Sequence, residues 1–235
     1  MKKLLVGAVL LCALLAPVHR AAAEIGTIDD VPGATLLLPY FEVDLNNPNG
    51  VTTLFSINNA SASAAVAHVT FWTDESIPTL DFDIYLTGYD VQTINIRDIF
   101  NGILPRTADA GADTGDTANP ADGISNKGVL SQDINFPGST GPCTIGGLYA
   151  AYPTATLTST FLNNHLRPAH TGGPSTAVFA GRCSGADYGD NIARGYVTVD
   201  SVTSCNLSFP SDAGYSTGLI DFRNILWGDY FYVNP

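Results

Sequence analysis

The sequence predicts a mainly β protein: an antiparallel, immunoglobulin-like β-sandwich with a less regular, disulfide-stapled C-terminal β-rich half. Three observations carry that expectation. Apolar residues recur with period two through residues 51–87, and clusters of turn-forming residues separate the runs at short intervals. An N-terminal leader would also deliver the chain to a compartment where disulfides form.

The leader comes first. Lys2 and Lys3 form a charged n-region, Leu4 to Leu15 an apolar h-region, and Ala21-Ala22-Ala23 the small residues that a signal peptidase needs. Residues 1–23 are therefore expected to be a signal peptide cut after Ala23. The apolar run is too short for an ordinary membrane-spanning helix. Cys12 lies inside that run behind Leu11 rather than a small residue, which argues against a lipid anchor. No second long apolar run follows, so no membrane insertion is expected once the leader is gone.

The strands then follow in order. Thr35–Val43 opens the set. Val51, Thr53, Phe55 and Ile57 share one face of the next strand. Ala65, Ala67, Val69, Phe71 and Thr73 share a face of the third, with His68, Thr70 and Trp72 opposite. Leu80, Phe82, Ile84 and Leu86 alternate with Asp81, Asp83, Tyr85 and Thr87, the pattern of a half-buried strand with its acidic face in water. Val91–Arg97 makes a fifth. Asn-Pro-Asn-Gly at 47–50, Asn-Asn-Ala-Ser at 58–61 and Thr-Gly-Tyr-Asp at 87–90 supply turns. Residues 24–104 thus read as the sandwich core.

Residues 105–142, centred on "ADAGADTGDTANPADGISNKG", are too polar and too long for an ordinary connection and read as a Gly/Asp-rich loop or insertion. Residues 143–235 form a C-terminal β-rich region, either the same sandwich continued or a truncated part of something longer. Within it the pattern suggests a short helix over 154–167 stopped by Pro168, and strands near 176–180, 194–203 and 229–234.

Charge narrows the function. The chain carries 10 basic and 22 acidic residues, a net −12. Removing residues 1–23 takes away Lys2, Lys3 and Arg20 and no acid, which moves the net charge to −15 and leaves Lys127 as the only lysine. Such a surface repels phosphate backbones and argues against nucleic acid as a partner. Three cysteines remain: Cys143, Cys183 and Cys205. The favoured bridge is Cys183–Cys205, because a strand over 193–203 would return one end towards the other. Cys143 would then be free, buried or paired with another chain.

Several stretches invite chemistry. Gly181-Arg182-Cys183-Ser184-Gly185 matches the spacing of a hydrolase nucleophile elbow. The residues after it make a poor helix, however, and His165 and His170 precede rather than follow it, so half of a disulfide is the better reading. Asp187, Asp190 and Asn191 could offer oxygens to a structural calcium, although no EF-hand pattern is present. His68, His165 and His170 lack zinc-site spacing and read as ordinary turn and helix-end residues. Trp72 is either a core residue or an exposed platform on which a sugar ring would stack. Asp81 and Asp83 are explained by strand alternation.

The segments "LLLPYFEVDLNNPNGVTTLFSINNASASAAVAHVTFWTD", "RGYVTVDSVTSC" and "LWGDYFYVNP" resemble those of exported β-rich proteins of environmental bacteria, over most of the mature chain. That group brings no defined activity. The resemblance implies export, a mainly β fold, and a chain that continues beyond "WGDYFYVNP". The expected function is a non-enzymatic structural or binding role in the bacterial periplasm, at the cell surface or outside the cell, with a glycan or protein partner. Two alternatives stay open. One is an extracellular hydrolase or carbohydrate-active protein using Asp187, Asp190 or Cys183; the other is a subunit of a surface assembly that adds its C-terminal strand to a partner.

Overall fold

A computed structural model describes residues 31–86, 88–105, 157–175, 185–204 and 208–234. The expected signal peptide, nearly all of the 105–142 stretch, the candidate strand at 176–180 and all four cysteines lie outside these residues, and with them the candidate elbow and the expected Cys183–Cys205 bridge. The first five strands are β1 (Thr35–Asp44), β2 (Thr52–Asn59), β3 (Ala65–Thr73), β4 (Pro78–Leu86) and β5 (Val91–Asn95), followed by the short helix α1 (Ile96–Phe100). Later come α2 (Ser159–Phe161), a π-helical turn (Leu162–Leu166) and α3 (Arg167–Thr171), which run on continuously. They are followed by β6 (Ile192–Val202), a second π-helical turn (Tyr215–Leu219), β7 (Leu226–Trp227) and β8 (Tyr230–Val233).

The fold is mainly β, in two antiparallel sheets. One has the order β1-β6-β3-β4; the other runs β5-β2-β7, with β8 also pairing with β2. Strands from the two ends of the chain alternate within both sheets, so residues 24–104 by themselves complete neither. β6 inserts between β1 and β3, placing Val199 opposite both Leu36 and Val69. Gly195 permits this insertion: a Cβ there would sit 2.0 Å from the Trp72 carbonyl oxygen.

Period two decides what is buried. Phe41, Val43, Val69, Phe71, Phe82 and Ile84 of the first sheet join Phe55, Ile57 and Ile94 of the second in one core cluster. Phe41 packs its ring against Phe71 at 5.6 Å and Phe100 at 6.0 Å. Burying each such side chain contributes about 1.5–3 kcal/mol. The β1–β2 turn is held differently: the Arg97 guanidinium donates to the carbonyls of Asp44, Asn47, Gly50 and Val51 at 2.7–3.0 Å.

Two expectations need correction. The helical segment runs from Ser159 to Thr171, so Pro168 lies within it rather than at its end. Proline lacks an N–H and its ring crowds the carbonyl four residues back. The wider π-helical turn just before Pro168 opens that spacing, and the segment stops instead at left-handed Gly172, φ +77°. The second correction concerns β4, whose acidic face is not wet. Asp81 and Asp83 are 5% and 2% exposed, because the segment around Tyr215 closes over that side of the sheet.

Candidate functional site

Asp187, Asp190 and Asn191 build the turn that leads into β6. Asp187 accepts from the Gly189 N–H at 2.8 Å, and Asn191, at φ +55°, donates to Asn46 Oδ1 at 2.7 Å. Asp190 receives both Nη groups of Arg194, at 2.9 and 2.5 Å. That bidentate pairing, with the Ile192 N–H, holds the Asp190 carboxyl at about 2. Arg194 in turn lies 4.5 Å over the Tyr188 ring. Among the described residues, no group of three His, Cys, Asp or Glu side chains is placed to hold a metal.

Trp72 lies on the face of β3 turned away from the core, half-buried. Its ring stacks on Tyr196 across the β3–β6 pairing, with 5.7 Å between centroids and 4° between planes, and its Nε1 donates to Thr198 at 2.9 Å.

Among the described strands β8 is the most exposed. Gly228 lets the chain pass β2 closely, since a Cβ there would lie 2.1 Å from the Ser56 carbonyl oxygen. Ser56 N–H then donates to Asp229 O at 2.8 Å and sets the register of β8 against Thr52–Phe55. Tyr230, Phe231 and Tyr232 are 41%, 55% and 47% exposed. Tyr232 contacts Tyr230 at 5.9 Å and Tyr40 at 6.1 Å, so the aromatic surface continues onto β1. On the other side Phe231 borders a shallow pocket of about 300 Å³ with Leu54, Ser56, Thr93 and Asn95.

Edge strands normally carry devices against further pairing. β1 has Pro39 and a register shift, β4 begins with Pro78, and β5 is five residues long. β8 reads Tyr-Phe-Tyr-Val, with neither proline nor charge, and among the described residues β2 is its only strand partner.

A second site is polar and sealed. The β3–β4 and β3–β6 registers set His68 directly between Asp83 and Asp200, and Thr70 between Asp81 and Thr198. His68 Nδ1 donates to Asp83 at 2.8 Å, while Nε2 faces Asp81 Oδ2 at 3.7 Å, within ion-pair range but beyond a hydrogen bond. Asp200 accepts from Thr35 at 2.5 Å and from the Tyr215 hydroxyl at 2.6 Å. His68 Nε2, Thr70 Oγ1 and Asp81 Oδ2 have no hydrogen-bond partner among the described residues.

Burial pushes the Asp81 carboxyl up to about 6, against the pull of His68 and with the help of Asp83. Burial alone would depress His68; the Asp83 hydrogen bond and the charges of Asp83, Asp81 and Asp200 raise it above its ordinary value instead. Burial and then Asp200 raise the Tyr215 hydroxyl, which stays protonated. A carboxylate-oriented imidazole is half of a general-base pair. Here His68, Thr70, Asp81, Asp83, Asp200 and Tyr215 are each no more than 5% exposed, and only Thr35, which bonds Asp200 from the edge of the cluster, reaches solvent, so the imidazole itself is shut off from substrate.

His165 and His170, read from the sequence as ordinary turn and helix-end residues, are also buried. His165 Nε2 donates to the Thr79 carbonyl at 2.8 Å and Nδ1 accepts from Ser175 at 3.0 Å. His170 Nδ1 donates to Arg194 O at 2.7 Å, Nε2 meets Thr79 Oγ1 at 2.8 Å, and the Phe41 and Phe100 rings enclose it. Burial lowers both, His170 to about 4, so both are neutral. A signal for His68 was present in the sequence: a hairpin centred on residues 75–76 places 68 opposite 83. Nothing local pointed to Tyr215, which arrives from the far end of the chain. Comparison with protein-family models, curated proteins and solved structures finds no match to this chain.

Proposed function

We propose that this chain is an exported, non-enzymatic structural or binding protein of the bacterial periplasm or cell surface, and that it engages a protein partner by strand addition at β8. The observation that carries this reading is the uncharged strand Tyr230–Val233, whose three aromatic residues are exposed and which, among the described residues, pairs with β2 alone. Main-chain hydrogen bonds would supply affinity there, and the exposed Tyr230, Phe231 and Tyr232 rings would meet side chains of the incoming strand on either face. We propose the finer architecture as an immunoglobulin-like β-sandwich with a strand order of its own; the core cluster shared by both sheets supports it.

The test is a photo-crosslinking residue at position 231 in cells exporting the full chain. One discrete adduct, mapped to an extended segment of one partner and lost in Tyr230→Lys, is the expected result. No discrete adduct from an exported, folded chain would overturn the reading. The glycan alternative has one observation in its favour, the Trp72–Tyr196 pair on an outer sheet face. Quenching of Trp72 fluorescence by soluble oligosaccharides, abolished in Tyr196→Ala, would support it.

A further inference from the structure

We propose that residues 208–221 form a proton-operated flap, held on the first sheet while the cluster beneath it carries its protons and released as they are lost. The geometry is asymmetric in charge. β3 supplies one imidazole, His68; β4 supplies Asp81 and Asp83; β6 supplies Asp200; the flap brings Tyr215 and, towards Asp81, Asp212. β1 adds only the neutral Thr35 hydroxyl. Fully ionised, the sealed space would hold three carboxylates against one imidazolium. Charges removed from water at this ratio are costly unless one is neutralised.

Taking a proton onto Asp81 relieves that excess, and losing the imidazolium proton of His68 worsens it. Closure is therefore coupled to proton uptake. The orphaned atoms of His68, Thr70 and Asp81 lie together on neighbouring rungs, where a proton can be gained without displacing an existing hydrogen bond. The flap itself is lightly attached. Residues 211–214 and 216–218 are exposed, and its buried anchors are Tyr215 and Leu219. Its return to β6 uses the Thr203–Leu219 and Ser201–Asp221 backbone bonds. Release would bare His68 and Asp200 and extend the outer surface that already carries Trp72 and Tyr196.

The sign follows from the direction of the shifts. Both Asp81 and His68 are raised in the closed state, so closure is favoured in mild acid and weakens as pH rises through the raised values. Amide hydrogen exchange of the full chain, normalised for intrinsic rates, tests this between about pH 5.5 and about pH 8. Protection within 208–221 should fall roughly tenfold or more over that range, while residues 52–59 of β2 keep or gain protection. Asp81→Asn, neutral at every pH, should hold the flap protected at the upper end. Flap protection that does not change, that changes in step with β2, or that keeps its wild-type profile in Asp81→Asn overturns the proposal. If Asp81→Asn does not fold, the wild-type comparison of 208–221 with 52–59 decides alone.

Discussion

Acidification from pH 7 should weaken the fold through His170, by an amount the structure sets. The imidazole is 2% exposed, donates to the Arg194 carbonyl and lies among Phe41 and Phe100. Burial depresses it to about 4, against an ordinary value of 6.5. The unfolded chain therefore takes up this proton first. The contribution is fully present above 6.5 and is lost as pH falls towards 4. Integrating that difference gives a loss of about 2 kcal/mol at pH 5 and about 3 kcal/mol at pH 4. His165, also depressed, acts in the same sense, whereas the raised Asp81 and His68 oppose it. Urea unfolding of wild type and His170→Gln at matched pH isolates the one group, since glutamine does not titrate. The stability difference between the two proteins should shift by about 2 kcal/mol in the variant's favour between pH 7 and pH 5. A difference that stays constant within about 0.5 kcal/mol would refute the burial argument.

Two further outcomes follow from packing. Gly195→Ala drives a Cβ into the Trp72 carbonyl, 2.0 Å away, and should cost more than about 3 kcal/mol in thermal unfolding, because backbone rather than a flexible side chain must yield. Arg97→Ala removes a guanidinium shared by four carbonyls of the β1–β2 turn; water can replace part of it, so a loss of about 1.5–3 kcal/mol is expected, with faster amide exchange confined to residues 44–51. Unchanged exchange in that turn would show that the fork is dispensable.

Local alternation made the strands legible. The runs at 35–43, 51–57, 65–73 and 80–86 appear within a residue or two of where period two puts them, because pleating fixes which side chains share a face. What covers the second face is not a local property. Asp81 and Asp83 read as solvated since nothing near them in sequence is apolar on that side; Tyr215 closes it from more than 130 positions away. His165 lies in the helical stretch read over 154–167, but its ring is satisfied by the Thr79 carbonyl of β4 and the Ser175 hydroxyl, neither of which helical periodicity points to. The interleaving of β6 between β1 and β3 is likewise invisible to periodicity, because a strand's pattern states its faces and not its neighbours.

That interleaving also has a consequence in time. Thr35 and Asp200 are joined across 165 residues, and Tyr40 and Tyr232 across 192. Contacts of such separation close late and slowly, since the loop entropy comes due before any pairing energy returns. During synthesis the β3–β4 hairpin can form early, but among the described residues β1 has no sheet partner until β6 exists, and β2 lacks one side until β7 and β8 do. The chain stays pliable for most of its synthesis. On the export proposed above, a chain threading a narrow secretory pore before it sets would gain from that delay, which lies in the strand order itself.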